Sequence, residues 1–122
     1  MPDAQTKLIL LLSGLATSSA FVMFLAPTAT MKLLFGRAAT DSVSILIARH
    51  WGLLISLIGA LLIYAAYHVE MQASTLVIAG VEKAAFALGI VMSPDCRNRP
   101  VAFLALADAM MAIACITCLL ER

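Results

Sequence analysis

Residues 101–120 read VAFLALADAMMAIACITCLL, twenty positions with one ionisable side chain, Asp108, among apolar and small residues. A helix needs roughly 20 apolar residues to cross a hydrocarbon core of about 30 Å. This stretch is therefore long enough to span a bilayer. Its apolar run is continuous rather than alternating, which argues against the strand of a membrane β-barrel. Three more stretches have the same character: residues 8–26, 43–67 and 74–92. Four spans and their loops account for the whole chain of 122 residues and leave no room for a soluble domain. The fold class expected is all-α, an integral membrane four-helix bundle in a single domain covering residues 1–122.

Composition supports that reading. Hydrophobic residues make up 63% and charged residues 12%, whereas soluble domains carry about 25% charged residues. So little charge cannot cover the surface of a small globule in water. Eight Lys and Arg against seven Asp and Glu give a net charge of +1, so nothing points to nucleic acid as a partner or to a basic surface anchor. A signal peptide competes for the first stretch, with Lys7 as its basic flank. That stretch is too long for a typical signal core and is interrupted by Ser13, Gly14, Thr17, Ser18 and Ser19. A retained span, stopped by Pro27, is the expectation. The loop after Pro27 contains an apolar turn at residues 31–35 suited to the interface.

Lys32, Arg37, Arg97 and Arg99 flank one side, and only Lys7 and Arg122 the other. By the positive-inside rule the first and third loops face the cytoplasm and both termini lie outside it.

The functionally informative residues are the ionisable ones within the spans. A charge at a helix centre costs about 2.5–3.5 kcal/mol on the insertion scale. Glu82 and Lys83 lie midway along the third span, Asp108 about 12 Å into the fourth at 1.5 Å per residue, and Arg49 near the start of the second. Helical spacing places Arg49 with Gly52, Ser56 and Gly59, Glu82 with Ala79, Ala85 and Gly89, and Asp108 with Ala105, Ala112 and Cys115. Small residues allow close approach of membrane helices. The charges are thus expected to turn inward in a left-handed bundle, with Arg49 opposite Asp108 or Glu82. Lys83 is too deep to reach water and needs a counter-ion or a water cavity.

Arg49, His50, Glu82, Lys83 and Asp108 form the candidate polar cluster. It could be a staple that fixes helix order, a ligand or proton site, or an interface with a partner subunit. His50 beside Trp51 could bind a headgroup or shuttle protons, although such a pair is more often an interface anchor. His68, Glu70 and Met71 are too few for a metal site. Cys115 and Cys118 form a C-x-x-C near a helix end with no basic neighbour, which suits core packing better than redox chemistry. No nucleotide-binding, zinc-protease or nucleophile-elbow motif occurs, so no catalytic residue, metal or cofactor is implied.

The segments Phe24-Leu-Ala-Pro27, Leu34-Phe-Gly36 and Arg49-His-Trp-Gly52, followed by Gly59, resemble the DoxX-like group of small four-helix membrane proteins of unknown function. That resemblance covers most of the chain. Members tend to have a proline ending the first span, a Phe-Gly in the following loop and an Arg-x-x-Gly opening the second, and the resemblance implies a four-helix bacterial inner-membrane protein but no substrate. Charged residues in its later spans would correspond to Glu82, Lys83 and Asp108. Some members associate with quinone-linked oxidoreductases. Three function classes follow. The first is a non-enzymatic module that binds a lipid, isoprenoid or quinone, or serves as an accessory subunit of a larger membrane complex or a homo-oligomer. The second is an oligomeric transporter or proton pathway using Glu82, Lys83 and Asp108. The third is a lipid-modifying isomerase with Glu82 or Asp108 as acid/base.

Overall fold

A computed structural model describes residues 3–37, 40–96 and 98–121, without the side chains of Asp3 and Cys96. The expected flank residues Arg97 and Arg122 lie outside the described residues. The chain is all-helical among them, with α1 Asp3–Ser18, α2 Phe21–Leu25, α3 Pro27–Phe35, α4 Ser42–Ala66, α5 Gln72–Val91 and α6 Arg99–Leu120. Four segments are long and apolar enough to cross a membrane: Ala4–Leu25, Ser42–Ala66, Val69–Val91 and Arg99–Leu120.

The first segment is broken where the sequence carries Thr17, Ser18 and Ser19. Hydroxyl side chains compete for backbone partners, and Ser19 Oγ donates to the Ala16 carbonyl. The amides of Ala20, Val22 and Met23 then bond three residues back, to Thr17, Ser19 and Ala20, so the chain tightens before α2 begins. The first span stops at Leu25, just before Pro27 as expected, but Pro27 is followed by further helix. It opens α3 at its first turn, where a missing N–H costs nothing and the fixed φ suits a helix. The expected loop after Pro27 is therefore a nine-residue helix. It stops at Gly36, whose φ of +75° is left-handed and whose N–H bonds the Lys32 carbonyl at 2.9 Å.

Asp41 caps α4, its carboxylate accepting from the Ser44 amide at 2.9 Å. That bond holds the Asp41 carboxyl below the usual carboxylate range. At the far end a 3-10 turn, Val69–Met71, joins α4 to α5. There Gln72 Nε2 donates to the Ala65 carbonyl at 3.2 Å, and α5 starts two residues before the expected boundary. Asn98 caps α6 through the Val101 amide at 3.0 Å, with Pro100 in the first turn, so α6 also begins two residues early.

The most extensive packing is α1 on α4 and α5 on α6, with α2 on α4, α4 on α5 and α3 on α6 completing the assembly. The packing of α1 and α2 on α4 is close because α4 has no side chains at Gly59, which faces α1, and Gly52, which faces α2. A Cβ on Gly52 would meet Met23 Cβ at 2.7 Å and the Phe24 amide nitrogen at 2.8 Å. Lys7 Nζ sits 4.3 Å from the Tyr67 ring centroid. This places the start of α1 beside the end of α4, so the two run antiparallel.

Two apolar cores form. Leu10, Leu62, Ala65, Leu76, Cys115 and Cys118 fill one end, and Ile90, Val101 and Ala105 the other, with Leu34, Phe35 and Phe86 against them. The outer faces are also apolar: Leu12, Leu15, Leu46, Ile47, Leu57 and Phe103 are each more than half exposed.

Candidate functional site

Between the two cores lies a cavity of about 350 Å³. All six helices contribute to it. Helix α5 supplies the charge. Lys83 is 1% exposed and is the largest fully buried side chain among the described residues. Its Nζ donates to Thr17 Oγ1 at 2.6 Å on α1 and lies 3.6 Å from Asp108 Oδ1 on α6. One side chain thus joins three helices.

Local sequence explains each position. Thr17 ends α1 where the hydroxyl run begins, on a stripe shared with the buried Thr6, Leu10 and Ser13. Asp108 lies on the α6 stripe of Ala105, Ala112 and Cys115, all buried. Their small size leaves room for the carboxylate to face α5. Its side chain is 20% exposed. Glu82 precedes Lys83 and points about 100° round the helix from it. It lines the same cavity, and its buried Oε1 has no hydrogen-bond partner among the described residues. Phe86, four residues on and hence on the Glu82 face, stands 6.1 Å from Trp51 between ring centroids, tilted by 31°. Apart from Thr17, Ser19, Thr30 and the three ionisable groups, the lining is apolar or aromatic.

The structure brings together three of the five residues singled out from the sequence, Glu82, Lys83 and Asp108. It does not bring in Arg49 or His50. Both are exposed and neither lines the cavity. The expected pairing of Arg49 with Asp108 or Glu82 is replaced by the Lys83–Asp108 pair. The reason is angular. The buried stripe of α4 runs through Ala48, Gly52, Ser56 and Gly59, and Arg49 lies about 100° round from Ala48. Its guanidinium instead rests 6.0 Å from the Phe24 ring centroid.

Sequence reading missed Thr17 as a partner of Lys83 and Trp51 and Phe86 as cavity walls. The four-residue spacing of Glu82 and Phe86 was the available signal for Phe86. For the break after α1, which sets Thr17 opposite α5, the signal was the hydroxyl run Thr17, Ser18 and Ser19. Cys115 and Cys118 are buried in the core beyond Asp108. His68 stacks on Tyr64 with centroids 3.8 Å apart and donates from Nδ1 to the Tyr64 carbonyl, at the end of α4 away from the cavity.

The arrangement can neutralise one carboxylate internally, through Lys83 and Asp108, while the other faces an apolar chamber with an open acceptor. Comparison with protein-family models, curated proteins and solved structures finds no match for this chain.

Proposed function

We propose that the protein is an integral membrane four-helix bundle that holds a small amphipathic ligand, such as a lipid, isoprenoid or quinone, and does no chemistry on it. The cavity carries this reading: about 350 Å³ of mainly apolar wall with charged groups gathered on one side. Binding chambers for small molecules have this size and this mixture, a few polar groups placed in an apolar lining. The apolar outer faces suit acyl chains, because a soluble monomer rarely exposes so much contiguous apolar surface. The basic residues Lys32, Arg37 and Arg99 lie at the end of the molecule nearest the cavity, which the positive-inside rule assigns to the cytoplasm. A place among the DoxX-like proteins of the bacterial inner membrane accords with this reading.

Mass spectrometry of the intact protein released from mild detergent tests it. A bound small molecule is expected in the native chain and absent from Ala107→Phe, which fills the cavity from α6. A native chain that carries nothing, and whose Trp51 emission does not respond to added quinone or lipid, overturns the proposal.

A proton pathway is the second reading. The observation in its favour is the meeting of Glu82, Lys83 and Asp108 around one space at mid-span. Liposomes bearing the protein would then acidify under an imposed gradient, and Glu82→Gln would abolish the flux.

A further inference from the structure

The charge arrangement within the cavity selects among amphiphiles, an inference that rests on the ligand-binding reading above. Three ionisable side chains line the space, Glu82, Lys83 and Asp108. Lys83 is already engaged on two sides, by Thr17 Oγ1 at 2.6 Å and by Asp108 Oδ1 at 3.6 Å. It is thereby offset by Asp108. Among the described residues Glu82 makes no such ion pair, and its Oε1 is buried without a hydrogen bond. The cavity therefore contains one carboxyl group more than it has cations to match.

The residues beside Glu82 have a consistent chemistry. Phe86 is one helical turn further along the same face, and Trp51 faces Phe86 across the α4/α5 contact. The faces of aromatic rings carry negative electrostatic potential and attract cations, most strongly for tryptophan. Both rings and Glu82 belong to the same lining. A positive centre there would meet a carboxylate and two ring systems. An anionic phosphate or carboxylate would meet the same groups as repulsion, because the cation able to receive it is already engaged.

We propose that the cavity binds a lipophilic organic cation, a quaternary or protonated amine on an apolar body, with its charged centre at Glu82 and against the neighbouring Trp51 and Phe86 rings. The apolar walls formed by Met23, Leu104 and Met111 hold the body.

Trp51 is the only tryptophan of the chain, so its emission reports on the site directly. The full-length protein in dodecyl maltoside is titrated with three probes of equal tail length: decyltrimethylammonium, decanol and decyl phosphate. The cation is expected to saturate the Trp51 response at a concentration at least about tenfold lower than decanol, the scale set by a desolvated cation–π contact together with an ion pair. Decyl phosphate is expected to be weakest. In Glu82→Gln, which keeps the shape of the side chain, the cation should lose its advantage while decanol is unaffected. Phe86→Leu, an independent variant one turn along the same wall, should reduce the same advantage in part. Equal or tighter binding of decanol or decyl phosphate overturns the cation preference alone, as does an unchanged preference in Glu82→Gln. Silence of Trp51 towards all three probes overturns ligand binding itself and the preference with it.

Discussion

Lys83 has to be held, since an ammonium group with 1% exposure cannot stay charged in an apolar interior unless its charge is met. Thr17 and Asp108 meet it. Desolvating such a pair roughly balances its attraction, whereas removing one member leaves the other stranded. Lys83→Met is therefore expected to destabilise the protein by about 3 kcal/mol. The double variant Lys83→Met/Asp108→Leu should lose less than Lys83→Met alone. Equilibrium unfolding in mixed micelles measures both, and a double variant as unstable as the sum of its parts would refute the pairing. The inward turn of Lys83 was legible in the sequence, because no side chain at that depth can reach water. The identity of its partner was not. Arg49 lies on an adjoining face of the small-residue stripe, and a shift of one position rotates a side chain by about 100°, enough to take it from core to exterior. The spacing of Arg49 and Gly52 does not distinguish the edge of a stripe from its centre.

The long helices were readable because each carries an uninterrupted apolar run, and their ends fell within a few residues of the expected positions. Helix α3 was not readable in this way. Proline stops one helix and starts another equally well, and which it does at Pro27 depends on the bend after α2 rather than on local composition. The contact between α1–α2 and α4 also depends on single positions. A Cβ on Gly52 would meet the backbone of Phe24, which cannot move aside as a side-chain tip would. Gly52→Ala is expected to lose about 2 kcal/mol, the usual scale of an overpacked contact. Gly89 has nothing within 4 Å of where a Cβ would stand, so Gly89→Ala should gain about 0.5 kcal/mol from helix propensity. The same unfolding assay reads both signs.

The first turn of α4 responds to pH. The Ser44 amide bond lowers the folded-state pKa of Asp41 from its unfolded value of about 3.9. The stabilisation it supplies is complete above that unfolded value and disappears as the pH falls through the lowered folded one. Asp41→Ala should speed hydrogen exchange at the Ser44 amide at neutral pH. The difference from the native chain should vanish once the acid is strong enough to protonate the native carboxyl.

At the scale of the whole molecule, the apolar exterior and the distribution of basic residues belong together. Between 22% and 33% of an 18-residue apolar stretch in each candidate span is buried inside the molecule, so most of each stretch faces outward, which suits the bilayer setting proposed above. In the orientation proposed above, with Lys32, Arg37 and Arg99 at the cytoplasmic end, single cysteines at Asp41 and Asp95 should react with an impermeant maleimide only from that side. A cysteine at Glu70 should react only from the other side. Labelling of all three from one side would remove the four-span topology.

The helix pairs with the broadest contacts, α1 with α4 and α5 with α6, consist of segments successive along the chain, apart from the short stretch that holds α2 and α3. Each pair can close soon after it is synthesised, because nearby contacts form before distant ones. The chamber belongs to neither pair. It comes into being only when the two hairpins dock, and the ammonium bridge from α5 to Thr17 is made in that last step. A lesion at Lys83 should therefore leave two intact hairpins poorly joined rather than a collapsed chain, with helical content preserved and the chamber lost.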